Sequence, residues 1–182
     1  MDSLSSVTAT SPDGQWVLSV RRDSRDIPML TLSTVMGSKP QHLLYVQRSG
    51  WVLWSPDSAR FAFTDAAFAN HYFIRICTVR APRARCENAS PALETHLRRL
   101  LTNDSEIDKI YAKALKWLSP AQLLVGIHAA TFRPAEARGS YTPVYYHFKA
   151  YVLDLTSSQV VSELDSTQAE LKVGGSLESL EW

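Results

Sequence analysis

The residues of this chain that are best suited to chemistry are scattered rather than clustered. Its five histidines are His42, His71, His96, His128 and His147. None stands three or four residues from another, so the sequence contains no local pair of metal ligands. The chain also lacks the Gly-x-Ser-x-Gly elbow of serine hydrolases and the glycine-rich loop that cradles phosphates. We therefore expect no catalytic residue, no metal and no cofactor.

Arginine gives the clearest binding chemistry. Arg80, Arg83 and Arg85 fall in one short loop, and a guanidinium group binds a carboxylate through two parallel hydrogen bonds. Arg98 and Arg99, on a predicted helix nearby, extend this basic patch. The patch is therefore a candidate surface for a carboxylate-rich protein partner, and the alternative is a solvated hairpin tip.

A second candidate contact is the aromatic loop at residues 66–71. An exposed Phe68, with His71 beside it, would anchor a protein partner, because aromatic side chains dominate many binding interfaces. The alternative is that Phe68 packs into the core.

The two cysteines, Cys77 and Cys86, have no histidine at the spacing of zinc ligands. A disulfide between them would close a short loop and stabilise the fold by about 2–3 kcal/mol. The alternative is a pair of unpaired thiols. The predicted localisation depends on the same two alternatives. The protein is periplasmic or secreted if an export signal was trimmed and the cysteines are oxidised, and it is cytoplasmic otherwise.

Length and composition are those of one globular domain covering residues 1–182. The chain is 45% hydrophobic and 20% charged, both ordinary for a folded protein. Its formal net charge of +1 lacks the basic excess of a nucleic-acid-binding surface. No stretch approaches the roughly 18 apolar residues of a membrane span, and the first residues carry no export signal.

A Ser-Pro turn that leads into an apolar run recurs along the chain. The three copies are Ser11-Pro12-Asp13-Gly14, Ser55-Pro56-Asp57-Ser58 and Ser119-Pro120-Ala121. Proline presets the turn and an aspartate bonds backbone amides, so Asp13 and Asp57 are assigned to turn stabilisation rather than to catalysis. Trp54, Trp117 and Trp182 lie 63 and 65 residues apart. Such fixed intervals are typical of repeat folds.

One of these copies resembles a known group. Residues 54–63, Trp-Ser-Pro-Asp-Ser-Ala-Arg-Phe-Ala-Phe, look like the blade signature of TolB-type, WD-repeat-like β-propellers, and residues 11–18 are a shorter second match. The resemblance covers residues 5–80 well and 113–182 poorly. It implies small antiparallel sheets around an axis that serve as a binding platform and bring no catalytic residue. About three repeats fall short of a closed ring of four or more blades.

We therefore predict a mainly β fold of propeller-like antiparallel repeat sheets, open or small, with a short α-helical insertion. Strands are predicted at about 5–10, 15–21, 28–35, 42–47, 50–54, 60–65, 71–79, 113–117, 121–129, 143–155, 158–164 and 177–182. Leu93, Leu97 and Leu100 recur at helical spacing, so the helical insertion is placed at about 90–112. The polar segment 166–176 is predicted to be a loop.

These patterns favour a non-catalytic scaffold that binds another protein, with a bacterial inhibitor or immunity-type protein that blocks a partner as its concrete form. The alternative is an enzyme or small-ligand binder with a site assembled from distant residues of the third repeat, such as His128, His147 and Asp154. A further interpretation is a homodimer that forms through an open sheet edge at 179–182.

Overall fold

The computed structural model describes residues 8–37, 39–46, 50–68, 71–89, 91–93, 95–96, 109–134 and 141–177. The strands in these ranges are β1 Ala9–Thr10, β2 Trp16–Arg22, β3 Pro28–Thr34, β4 Gln41–Tyr45, β5 Gly50–Trp54, β6 Arg60–Phe68, β7 His71–Arg80, β8 Arg83–Asn88, β9 Lys109–Ser119, β10 Gln122–Pro134, β11 Tyr141–Asp154 and β12 Gln159–Leu164. A helix covers Ser166–Val173, and residues 91–93 and 95–96 are also helical.

The strands form three consecutive four-stranded meanders. The first, β1–β4, is a separate antiparallel sheet in the order β1-β2-β3-β4. The second (β5–β8) and the third (β9–β12) are each antiparallel and share one larger sheet. A short parallel pairing joins them, in which His71 and Tyr72 of β7 lie opposite Ile110 and Tyr111 of β9. The prediction of a mainly β fold with open antiparallel sheets is therefore confirmed.

The meanders pack face to face through two hydrophobic cores. Successive residues of a strand point to opposite faces of a sheet. Phe61 and Phe63 of β6 therefore pack with Leu18 and Leu30 of the first meander. Ala62, between them, faces the other way and belongs to a second core shared with the third meander, which contributes Trp117, Leu123, Val125, Tyr151 and Leu153.

The first two Ser-Pro turns are built alike. The Ser55 hydroxyl donates to the carboxylate of Asp57 (2.6 Å) and accepts from the backbone N–H of Arg60 (2.9 Å). Ser11 and Asp13 repeat this arrangement with Trp16. Ser58 has φ 58°, close to the 70° of Gly14 at the equivalent position. The assignment of Asp13 and Asp57 to turn stabilisation is therefore confirmed.

The third turn differs from the other two because it lacks the aspartate. Ser119 and Gln122 pair directly, so Pro120 and Ala121 form a two-residue hairpin between β9 and β10.

Two element predictions were wrong. The helical insertion was extended to residue 112, but Lys109–Ser119 is strand β9, because antiparallel pairing with β10 and the short parallel pairing with β7 outweigh the local helical spacing. The segment 166–176 is not a loop, since it contains the helix Ser166–Val173, whose Ala169 packs against the outer face of the third meander. The predicted strand at 177–182 lies outside the described residues except for Leu177, which is not in a strand.

Strand β8 was not predicted, and it settles the question of the two cysteines. Cys77 of β7 and Cys86 of β8 are register partners and form a disulfide. Of the two alternatives, the structure has the bridge.

Candidate functional site

The β7–β8 hairpin places three of the predicted arginines together. Arg80 and Arg83 pair directly, and the turn between them consists of Ala81 and Pro82. Arg85 lies two residues further along β8, on the same face as Arg83. All three side chains are exposed. The tip of this hairpin is therefore cationic. The two arginines of β8 occupy alternate positions, so their side chains lie on the same face as each other.

Strand register adds a fourth arginine to this face. Thr78 of β7 pairs with Arg60 of β6 on one side and with Arg85 of β8 on the other. Side chains directly opposite in adjacent strands lie on the same face. Arg60 and Arg85 therefore flank Thr78, about 10 Å apart as judged from two strand spacings.

These side chains line a cleft of about 580 Å³, which we call the arginine cleft. Its cationic wall consists of Arg60, Arg80, Arg83 and Arg85. Its apolar wall contains Ile76 of β7, Ala92, and Leu153 and Leu155 at the end of β11 and in the turn that follows. The cleft therefore lies between the second and third meanders, where their shared core reaches the surface.

The charge of the cleft is strongly positive. Among the described residues that line it, Glu87 is the acidic one. Its carboxylate lies 3.5 Å from Arg85, but both side chains are more than two-thirds exposed, so this ion pair contributes little. Arg60, Arg80 and Arg83 dominate the electrostatic character of the cleft.

Two contacts hold the cationic wall in place. The disulfide between Cys77 and Cys86 lies three residues from each of the two paired arginines at the hairpin tip. The side-chain amide of Gln41, on β4 of the first meander, donates to the carbonyl of Ala84 (2.8 Å) and accepts from its N–H (2.7 Å). Gln41 thus pairs with the free edge of β8 as a short strand would.

Arg60 is the residue that sequence reasoning missed. It is half-buried, and its Nη1 donates to the carbonyl of Pro120 in the third Ser-Pro turn (2.7 Å). Its place directly after the second Ser-Pro turn was visible in the sequence. Its position beside the hairpin arginines was not, because that depends on the register of β6 against β7.

The other predicted contact residues do not join the cleft. Phe68 and His71 pair at the far end of the β6–β7 hairpin, and nine residues of β7, or about 30 Å, separate His71 from Arg80. The side chains of Phe68 and His71 lie outside the described part of the chain, as do Arg98 and Arg99 entirely.

The residues of the alternative enzymatic site are separated along one hairpin. His128, in the middle of β10, pairs with Phe148, whereas Asp154 pairs with Gln122 at the start of β10, about 20 Å away. Burial lowers the pKa of His128 to about 4, so it is neutral near pH 7. Asp154 accepts backbone N–H groups from its own turn, chiefly that of Ser157, and these bonds lower the pKa of its carboxyl. The side chain of His147 is not described.

The described side chains contain no group of three or more histidine, cysteine, aspartate or glutamate residues able to hold a metal ion. No helix in the described ranges has the length and apolar character needed to cross a membrane.

Comparison with known proteins finds no protein-family model that matches the chain and no matching curated protein. The class of protein is therefore defined by its own structure. It consists of three open antiparallel meanders, with an arginine-lined cleft between the second and the third.

Proposed function

We propose that this protein is a non-catalytic scaffold that binds another protein through the arginine cleft. One observation carries the proposal: Arg60, Arg80, Arg83 and Arg85 share one face of the second meander and border an apolar wall. Arginine is enriched in protein interfaces, the buried centre of an interface is more apolar than the rest of the protein surface, and the guanidinium fork favours carboxylates.

The proposed scaffold is β-propeller-like, and contacts between successive repeats support this arrangement. The indole N–H of Trp54 donates to the carbonyl of Ala9 (3.4 Å), and that of Trp117 donates to the carbonyl of Leu53 (2.8 Å). Ala9 and Leu53 occupy equivalent positions, each two residues before the serine of its own turn. The second and the third repeat therefore each bind the preceding one through a tryptophan that lies just before the Ser-Pro turn.

The turns of successive repeats are also joined to each other. The backbone N–H of Asp13 donates to the Ser58 hydroxyl (3.0 Å), which joins the first turn to the second. Arg60 joins the second turn to the third through Pro120. The three turns thus form a row at one end of the molecule, as expected when repeats are arranged around an axis.

The concrete form that we propose is an inhibitor or immunity-type protein. A rigid cationic surface that covers an acidic functional surface of its partner blocks that surface without any chemistry of its own. The role requires only tight, charge-complementary binding.

Affinity capture with matched variants tests this function. The protein is immobilised as wild type, as Arg80→Gln/Arg83→Gln/Arg85→Gln, and as Arg21→Gln/Arg22→Gln/Arg25→Gln, which removes the same charge from exposed arginines of the first meander. We expect a stoichiometric protein from the source cells to be retained by the wild type and the control variant. The hairpin variant should retain at least tenfold less of it.

Binding of the purified partner by calorimetry then confirms the loss. If the hairpin variant retains its partner as well as the wild type does, or if no protein is retained at stoichiometric level, the proposed function is wrong.

A further inference from the structure

We propose that the arginine cleft binds an extended acidic peptide segment in which carboxylate side chains alternate with apolar ones. This inference rests on the proposed function and specifies the chemistry of the partner. The carboxylates would pair with Arg60, Arg80 and Arg83, and the apolar side chains would pack on Ile76 and Leu155.

The two walls of the cleft define this amphipathic occupant. Ile76, Ala92 and Leu155 are half-buried, so one wall presents apolar surface close to the core. The opposite wall presents guanidinium groups. A ligand that is charged throughout would leave the apolar wall uncovered, and an apolar ligand would desolvate the arginines without pairing them, which is costly.

The spacing of the arginines favours an extended chain over a single anion. Arg60 and Arg85 are two strands apart, about 10 Å, and Arg80 lies two residues beyond Thr78, about 7 Å along β7. Alternate residues of an extended peptide are also about 7 Å apart and lie on one side of the chain. The volume of about 580 Å³ is sufficient for a few residues of such a segment.

The cationic wall is preorganised for binding. The disulfide and the Gln41 contact hold β8 against its neighbours. Arg60 donates one of its five N–H groups to the carbonyl of Pro120, and this hydrogen bond orients the guanidinium group. Binding therefore costs less conformational entropy than it would with arginines on an unrestrained loop.

Fluorescence anisotropy with labelled peptides tests the inference. The probe is a soluble peptide with the core Glu-Leu-Glu-Leu-Glu between Gly-Ser flanks. Peptides of the same length carry Lys in place of Glu, or Ser in place of Leu, and a single-stranded oligonucleotide of similar charge represents a phosphate ligand. We expect the Glu-Leu probe to bind at least tenfold more tightly than each of the others, with affinity that decreases as salt is added.

Single variants locate the site. Arg60→Gln and Arg83→Gln should each weaken binding of the probe at least tenfold, whereas Arg22→Gln, on the first meander, should leave it unchanged. Thermal denaturation of each variant verifies that it is folded. Equal binding of the lysine peptide, tighter binding of the oligonucleotide, or unchanged affinity in both cleft variants would overturn the inference.

The two proposals fail separately. If the acidic probe does not bind but capture of the cellular partner still depends on the hairpin arginines, the peptide inference is wrong and the scaffold function stands. If capture is also independent of these arginines, the proposed function is itself wrong.

Discussion

Asp57 and Asp65 lie eight residues apart in the second meander, in opposite environments. Asp57 is exposed in its turn, and the Ser55 hydroxyl and the N–H of Ala59 bond its carboxylate, which lowers its pKa below the ordinary value of 3.8. Asp65 is 2% exposed, and burial raises its pKa. The guanidinium of Arg75 lies 3.9 Å from it and offsets only part of this rise. Its Oδ1 finds no hydrogen-bond partner within the described ranges.

These settings predict opposite effects of pH on stability. The folded state binds the Asp57 proton more weakly than the unfolded state does, so this residue stabilises the fold above the ordinary pKa of 3.8 and loses that effect as pH falls below it. The folded state binds the Asp65 proton more tightly. The stabilising contribution of Asp65 is therefore fully present below pH 3.8 and decreases as pH rises above that value.

Urea unfolding of Asp57→Asn and Asp65→Asn from about pH 3 to about pH 7 measures both effects. Relative to Asp57→Asn, the wild type should gain free energy of unfolding as pH rises through about 4. Relative to Asp65→Asn, it should lose free energy of unfolding over the range above pH 4. A difference that has the same sign of slope for both variants would contradict the prediction.

At this scale, the sequence predicted residues whose role is local. Asp13 and Asp57 were assigned to their turns because a Ser-Pro-Asp motif contains its own hydrogen-bond partners. Arg80, Arg83 and Arg85 were identified because they are close in sequence. Arg60 required the register of β6 against β7, and that register contains an irregularity between Asp65 and Phe68 that counting along the sequence does not reveal.

Among the elements, the β7–β8 hairpin connects the disulfide to the arginine cleft. The sequence of β8, with Arg83, Arg85 and Glu87, has little strand-like apolar character, so β8 was not predicted. This segment is a strand nevertheless, because it pairs with β7, which is held in the core by its buried residues Ile74 and Cys77. The charged face of β8 is then left for the cleft.

Removing the disulfide should loosen this hairpin. The bridge closes a loop with a sequence separation of 9, so Cys77→Ala/Cys86→Ala should lose about 2–3 kcal/mol of free energy of unfolding in urea. A reducing agent should lower the wild type to the same midpoint and leave the variant unchanged. Equal stability of the two proteins under oxidising conditions would show that the bridge does not stabilise the fold.

The helix Ser166–Val173 shows how an element can escape periodicity. Ala169 is its buried residue, so it has no apolar stripe to reveal it. Its signals were at its ends: the Asp165 carboxylate accepts the N–H of Gln168, the Gln168 side chain accepts the N–H of Asp165, and Gly174 follows at φ 82°. A capping box and a terminal glycine mark a helix even where composition indicates a loop.

The whole molecule is held together by contacts between successive meanders. The second meander is shared, since one of its faces belongs to the core with the first meander and the other to the core with the third. The spacing of Trp54 and Trp117 predicted a repeat, and both residues make the corresponding contact to the preceding meander. Trp182 lies outside the described residues. The cleft between meanders could not be predicted, because it depends on how two repeats pack.

The two tryptophan contacts should differ in strength. Trp117 is 5% exposed, and its indole N–H lies 2.8 Å from the carbonyl of Leu53. Trp54 is half-buried, and the corresponding distance to Ala9 is 3.4 Å, the upper limit for a hydrogen bond. Replacement by phenylalanine removes the donor and part of the ring, which costs more where the side chain is buried and water cannot replace the lost bond.

We therefore expect Trp117→Phe to lower the free energy of unfolding by about 2–3 kcal/mol and Trp54→Phe by about 1 kcal/mol or less. Urea unfolding followed by far-UV circular dichroism measures both. Each variant should unfold in one transition with the m value of the wild type, because the shared cores make the meanders unfold together. A larger loss in Trp54→Phe would mean that the first two meanders hold each other more strongly than the last two. Separate transitions would mean that the meanders fold independently, and the arginine cleft, which needs two of them, would then open before the molecule unfolds.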